Sequence, residues 1–149
     1  NTIPAKATLT KKPAETDVVN YGKYIVNAAS CMECHSQFEK GKLLAGTEFG
    51  GGREFPFPDG SVVRSGNITS DASGIGNWTE AMFVNLFRTN SDSAMLSKKI
   101  QPGAFNSIMP WSMYGKMHEQ DLKAMYAYLK TVKPVDGCQK QENHSGQIL

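Results

Sequence analysis

Residues 31–35, Cys-Met-Glu-Cys-His, crowd two thiols and an imidazole into five positions, and the grouping demands something for all three to hold. Four chemistries use closely spaced cysteines. A zinc site needs four ligands, and outside this cluster the chain offers only Cys138, His118 and His144, widely separated. A redox dithiol sits at a helix start that follows a strand, whereas the residues before Cys31 carry helical periodicity. A structural disulfide leaves His35 without a role. Covalent haem attachment employs all three groups. Two residues between the thiols let one helical turn span a porphyrin edge, so Cys31 and Cys34 can each close a thioether to a vinyl group, and His35 then reaches the iron as an axial ligand. On this reading the cofactor is one haem c, held covalently.

The iron's other axial position is either open or closed by a second ligand. A thioether suits electron transfer, because soft sulfur favours the reduced metal and raises the potential. Seven methionines compete for the place. Met32 lies inside the attachment segment, too close to cross the ring. Met82 and Met125 fall on helical faces beside Phe83, Leu86 and Leu122, where methionine fills gaps; Met95 stands in a polar stretch. Residues 106–120 hold the remaining three. Met109 is preferred because Pro110 fixes its own φ and pushes the preceding residue into an extended conformation, and because Trp111 and Tyr114 then offer apolar cover for the ring. Met113 is the runner-up, and Met117 reads as a packing residue at a helix entry. His118, beside Glu119 and Asp121, reads as a capping or surface residue rather than a second imidazole ligand.

The rest of the chain supplies a frame for such a group. A length of 149 residues, 40% of them hydrophobic, suits one domain with a real core. Residues 1–15 are polar and read as a flexible arm or the remnant of a membrane tether absent from this chain, 16–134 as the haem domain, and 135–149 as a loose tail. The chain starts without Met or an apolar leader, as a processed or trimmed form would. Helical spacing predicts helices over 17–30, 80–90 and 119–132, with Thr16 or Asp17 capping the first and Thr79 the second. Gly22 inside the first helix weakens it, so a close approach by another backbone or an aromatic ring is expected there, and the terminal helix is the expected partner. Residues 41–77 are rich in glycine, and Pro58-Asp59-Gly60 lies between short β-prone runs, which predicts an irregular loop with one small hairpin. The net charge of +2 and the scattered lysines lack the basic stripe of a nucleic-acid binder. Lys40, Lys42, Lys98, Lys99 and Lys116 flank the two ligand segments, as steering groups for an acidic partner or as an ordinary solvated surface.

An N-terminal helix running into Cys-x-x-Cys-His, a methionine loop far downstream and a terminal helix with paired tyrosines resemble the class I c-type cytochromes. Residues 67–80 and 108–130 are further similar to the cytochrome c subunits of membrane-bound alcohol and aldehyde dehydrogenases, and the likeness covers about residues 17–133. The resemblance implies an all-α class I cytochrome c fold, with three or more helices around one haem. It also implies Met109 as the distal ligand and a segment from Asn67 to Trp78 along the haem propionates, where Asn67, Arg64 or Trp78 would donate hydrogen bonds. Such subunits often carry three haem motifs in series; this chain carries one.

The expected function is one-electron transfer at a haem ligated by His35 and Met109, without bond-making catalysis. The alternative is a haem enzyme or gas sensor in which Met109 only packs and the distal position is open. Expected partners are redox proteins: a dehydrogenase, a quinol-oxidising complex or a terminal oxidase. Thioether attachment takes place where the export and ligation apparatus resides, so a periplasmic or other extracytoplasmic location in a bacterium is expected.

Overall fold

The computed structural model describes residues 11–92 and 107–137. Most of the expected arm, Met95, Lys98, Lys99, Cys138, His144 and the tail from 138 lie outside the described residues. The described chain forms five helices: α1 (Val18–Ala28), α2 (Cys31–His35), α3 (Glu80–Asn90), α4 (Trp111–Tyr114) and α5 (Glu119–Leu129). Two antiparallel two-stranded ladders stand between α2 and α3: β1 (Phe38–Glu39) with β2 (Lys42–Leu43), and β3 (Glu54–Pro56) with β4 (Val62–Arg64). None of these helices is long and apolar enough to cross a membrane.

In α1, the Asp17 carboxylate accepts from the Asn20 amide, satisfying one donor that the first turn leaves free. The helix buries Tyr21, Gly22, Ile25 and Val26, whereas Val18, expected on the same stripe, is 45% exposed. It packs against α5, which buries Leu122, Ala124, Met125 and Leu129. Each fully buried aliphatic side chain in this seam contributes about 1.5–3 kcal/mol. The expected close approach at Gly22 is present: a Cβ there would lie 1.9 Å from the Ala124 carbonyl oxygen. The Tyr21 hydroxyl donates to Asp121 at 2.8 Å and ties the same two helices.

Helix α3 covers the expected residues, with the Thr79 hydroxyl accepting from the Met82 amide at 3.2 Å. The other two helices are shorter than their periodicity implied. The first stops at Ala28 because Ser30 turns left-handed (φ 54°, ψ 33°), which separates it from α2. The last stops at Leu129 because the following turn tightens to three-residue spacing, with Thr131 and Val132 amides donating to the Tyr128 and Leu129 carbonyls. The Pro-Asp-Gly hairpin is β3–β4, closed by the Asp59 carboxylate, which accepts from the Ser61 amide and hydroxyl. The β1–β2 ladder is an element the residue pattern did not disclose. Residues 135–137, expected to be loose, are tied down: the Val135 carbonyl accepts from Asn67 at 2.7 Å, and the Gly137 amide donates to Ser73 at 2.9 Å.

Candidate functional site

One cleft gathers the candidate groups. Its walls include Cys31, Cys34 and His35 from α2, Phe55 and Val63 from the β3–β4 hairpin, Ile75, Phe83 and Phe87 around α3, and Met109 with Trp111 at the start of α4. Met125 and Leu129 of α5 close it. Cys31 is buried, Cys34 exposed, and the two are not joined by a disulfide. Burial pushes the Cys31 thiol up to about 11. Among the described residues, no group of three or more His, Cys, Asp or Glu side chains is placed to hold a metal ion.

The imidazole of His35 is oriented by backbone. Its Nδ1 lies 2.8 Å from the Gly66 carbonyl oxygen. A carbonyl can only accept, so Nδ1 carries the proton and Nε2 keeps its lone pair, the form a metal binds. Burial pulls the ring's pKa down and the Gly66 bond pushes back, the first being larger, so the ring is neutral at neutral pH. Gly51 packs against that carbonyl. Its amide donates to the His35 carbonyl at 2.8 Å, and at φ +74° it packs so closely that a Cβ would lie 2.5 Å from the Gly66 carbonyl carbon. Sequence reasoning missed Gly66, because a carbonyl has no residue-type signature.

Met109 is half-buried in the cleft wall. Its amide donates to the Ser107 hydroxyl at 3.1 Å, and its carbonyl accepts from the Trp111 amide at 2.8 Å. Pro110 between them has φ −77° and ψ 63°, an inverse γ-turn that folds residues 109 and 111 back toward each other. The competing methionines are placed elsewhere: Met113 is 69% exposed, and Met117 packs against the core. Met82, expected on a packed face, is 50% exposed, while Met125 is buried and lines the cleft. Trp111 lines the cleft. Tyr114 is not among the lining residues; its hydroxyl donates to the Ala29 carbonyl at 2.8 Å, which sets α4 beside the α1–α2 junction. His118 is the residue preceding α5 and is exposed, with no capping bond from its side chain.

Arg64, Asn67 and Trp78 all line the cleft, but two have other commitments. The Arg64 guanidinium pairs with Glu54, Nε to Oε1 at 3.0 Å. The Asn67 amide nitrogen donates to Ser73 Oγ and to the Val135 carbonyl, and its oxygen accepts from the Thr69 amide and hydroxyl. Asn67 is thereby a rivet between the cleft wall and the segment after α5. Replacing it with Ala is expected to destabilise the fold by about 2 kcal/mol, as measured by urea denaturation, while leaving the redox potential in place. A large potential shift at unchanged stability would instead assign its donors to the haem.

The residue types fit a haem. The walls are apolar and aromatic, the two thiols have the spacing for thioether closure, and imidazole and thioether donors share the cleft. Trp111 Nε1 is a buried donor with no partner among the described residues, and a bound group could supply its acceptor. Fold and cleft together define a helical domain able to hold a haem through its own side chains. The chain belongs to the cytochrome c family: the family's model, Cytochrome c, matches residues 19–133. Covalently bound haem c is its cofactor, with Cys31 and Cys34 in the Cys-x-x-Cys-His motif, and electron transfer is the function this family membership carries.

Similar proteins include the fructose dehydrogenase cytochrome subunit of Gluconobacter japonicus, 32% identical over 85% of this chain and 24% of the relative. The cytochrome c subunit of a quinone alcohol dehydrogenase from Gluconobacter oxydans (strain 621H) is 31% identical over 82% of this chain and 23% of its own length. The gluconate 2-dehydrogenase cytochrome c subunit of Pantoea cypripedii is 30% identical over 92% and 28% respectively. The chain thus spans about a quarter of the length of these relatives.

Proposed function

We propose that this chain is a single-haem electron-transfer domain serving a dehydrogenase assembly on the periplasmic side of a bacterial membrane, with His35 and Met109 as the axial ligands. The haem domain extends over 16–134. The observation that carries the reading is the convergence of Cys31, Cys34, His35 and Met109 on one apolar cleft. Bound there, the haem supplies an Fe(III)/Fe(II) couple. The chain's residues do the rest. Cys31 and Cys34 tether the porphyrin edge, and the Gly66 carbonyl keeps the His35 lone pair on Nε2. The apolar walls disfavour added positive charge and so favour the reduced state. Trp111 covers the ring, and Arg64 and Trp78, both in the cleft lining, are the candidate donors to its carboxylates. The dehydrogenase cytochrome subunits named above support the partner and the compartment.

The test is production in a host that attaches haem to Cys-x-x-Cys-His sequences. The purified protein is expected to keep its pigment through acid–acetone extraction and to gain the mass of one haem, while the double variant Cys31→Ser and Cys34→Ser loses both properties. Pigment that extracts from the unaltered protein would defeat the reading. Rapid CO binding by the reduced protein would defeat its distal ligand.

A further inference from the structure

The indole of Trp111 poses a problem that covering the ring does not solve. The residue is 9% exposed, it lines the cleft, and its Nε1–H has no hydrogen-bond partner among the described residues. Leaving a buried donor unmet is costly, and a phenylalanine would cover a ring without that penalty. The edge-type contact with Phe87, at 5.6 Å between centroids, provides at most a weak π acceptor.

A bound haem brings two kinds of acceptor: the carboxylates on one edge and the sulfur drawn onto its iron. Position separates them. Tyr114, three residues after Trp111 in α4, donates at 2.8 Å to the carbonyl of Ala29, two residues before Cys31. Helix α4 therefore stands on the thioether side of the cleft, and the carboxylates of a haem fixed by those cysteines point to the opposite edge. The sulfur of Met109 is close in the chain: the inverse γ-turn at Pro110 returns residue 111 toward residue 109, with the Trp111 amide already on the Met109 carbonyl.

We propose that the Trp111 indole N–H is the hydrogen-bond donor to the Met109 thioether when that sulfur ligates iron. Trp111 is then a positioning residue that adjusts how strongly the distal ligand donates. This rests on Met109 being the ligand. A donor on sulfur withdraws electron density from it, weakens its donation to Fe(III) more than to Fe(II), and so holds the potential up.

The experiment compares haem-loaded wild type with Trp111→Phe, which keeps an apolar ring and removes only the donor. The expected result is a lower reduction potential together with a shift of the sulfur-to-iron near-infrared band to lower energy, at unchanged haem content. In reduced, diamagnetic wild type labelled with ¹⁵N-tryptophan, the indole proton of Trp111 is expected downfield, moving upfield when CO displaces Met109. This second measurement stands even where the variant folds poorly. A potential that falls while the band stays still places the acceptor elsewhere and overturns the proposal, as does a variant in which neither moves or an indole proton indifferent to CO. A wild-type protein with no near-infrared band at all sinks the Met109 ligation beneath it, a failure seen before any variant is made.

Discussion

Met109→Ala is expected to abolish the near-infrared sulfur-to-iron band of the oxidised protein, lower its potential by on the order of 0.1 V, and let CO bind the reduced form rapidly. The potential change is a fraction of the roughly 0.8 V over which axial ligands set haem potentials, and it follows from exchanging a thioether for a water or an empty position. The variant is expected to fold, because Met109 is only half-buried and its segment is held by backbone bonds to Ser107 and Trp111 that alanine retains. Met113 is the control. It is 69% exposed and lies outside the cleft lining, so Met113→Ala is expected to leave band and potential alone. If the band survived in the first variant and vanished in the second, the ligand would be Met113.

Gly22→Ala is expected to destabilise the protein by about 3 kcal/mol, near the upper end of what overpacking usually does, and to lower the melting temperature by about 10 °C. Alanine is the better helix former by about 1 kcal/mol, so propensity alone predicts the opposite sign. Sterics win because the obstacle is backbone: the Ala124 carbonyl oxygen would stand 1.9 Å from the new methyl and its carbon 2.5 Å away. No side chain can rotate clear, so α1 must shift along α5 and disturb Tyr21 and its bond to Asp121. Thermal denaturation followed by circular dichroism checks the prediction, and an Ala variant as stable as wild type would show that the seam is looser than described.

How much was legible beforehand depends on whether the information was local. Helix α3 is found in full because its cap, Thr79, and its apolar spacing lie within a few residues of one another. Gly22 was legible as a crossing because a glycine on an apolar helical face has little other reason to be there. The overrun of α1 came from Ser30, a non-glycine residue in a left-handed conformation that no residue pattern signals. The attachment motif could be read directly, since it packs its chemistry into a few consecutive positions. The Gly66 carbonyl, the hairpin wall of Phe55 and Val63, and Asn67 as a rivet to Val135 could not, because each depends on residues brought together from far apart in the chain.

The left-handed turn at Ser30 has a mechanical meaning. A single continuous helix would lock the rotation of the attachment pentapeptide to the phase of the apolar stripe ahead of it, about 100° per residue. With the joint broken, the direction in which the thiols and imidazole face is set by their own short helix. The longer helix is thus free to be redesigned, or to drift in sequence, for grip alone, and an engineer could retune its packing without steering the metal.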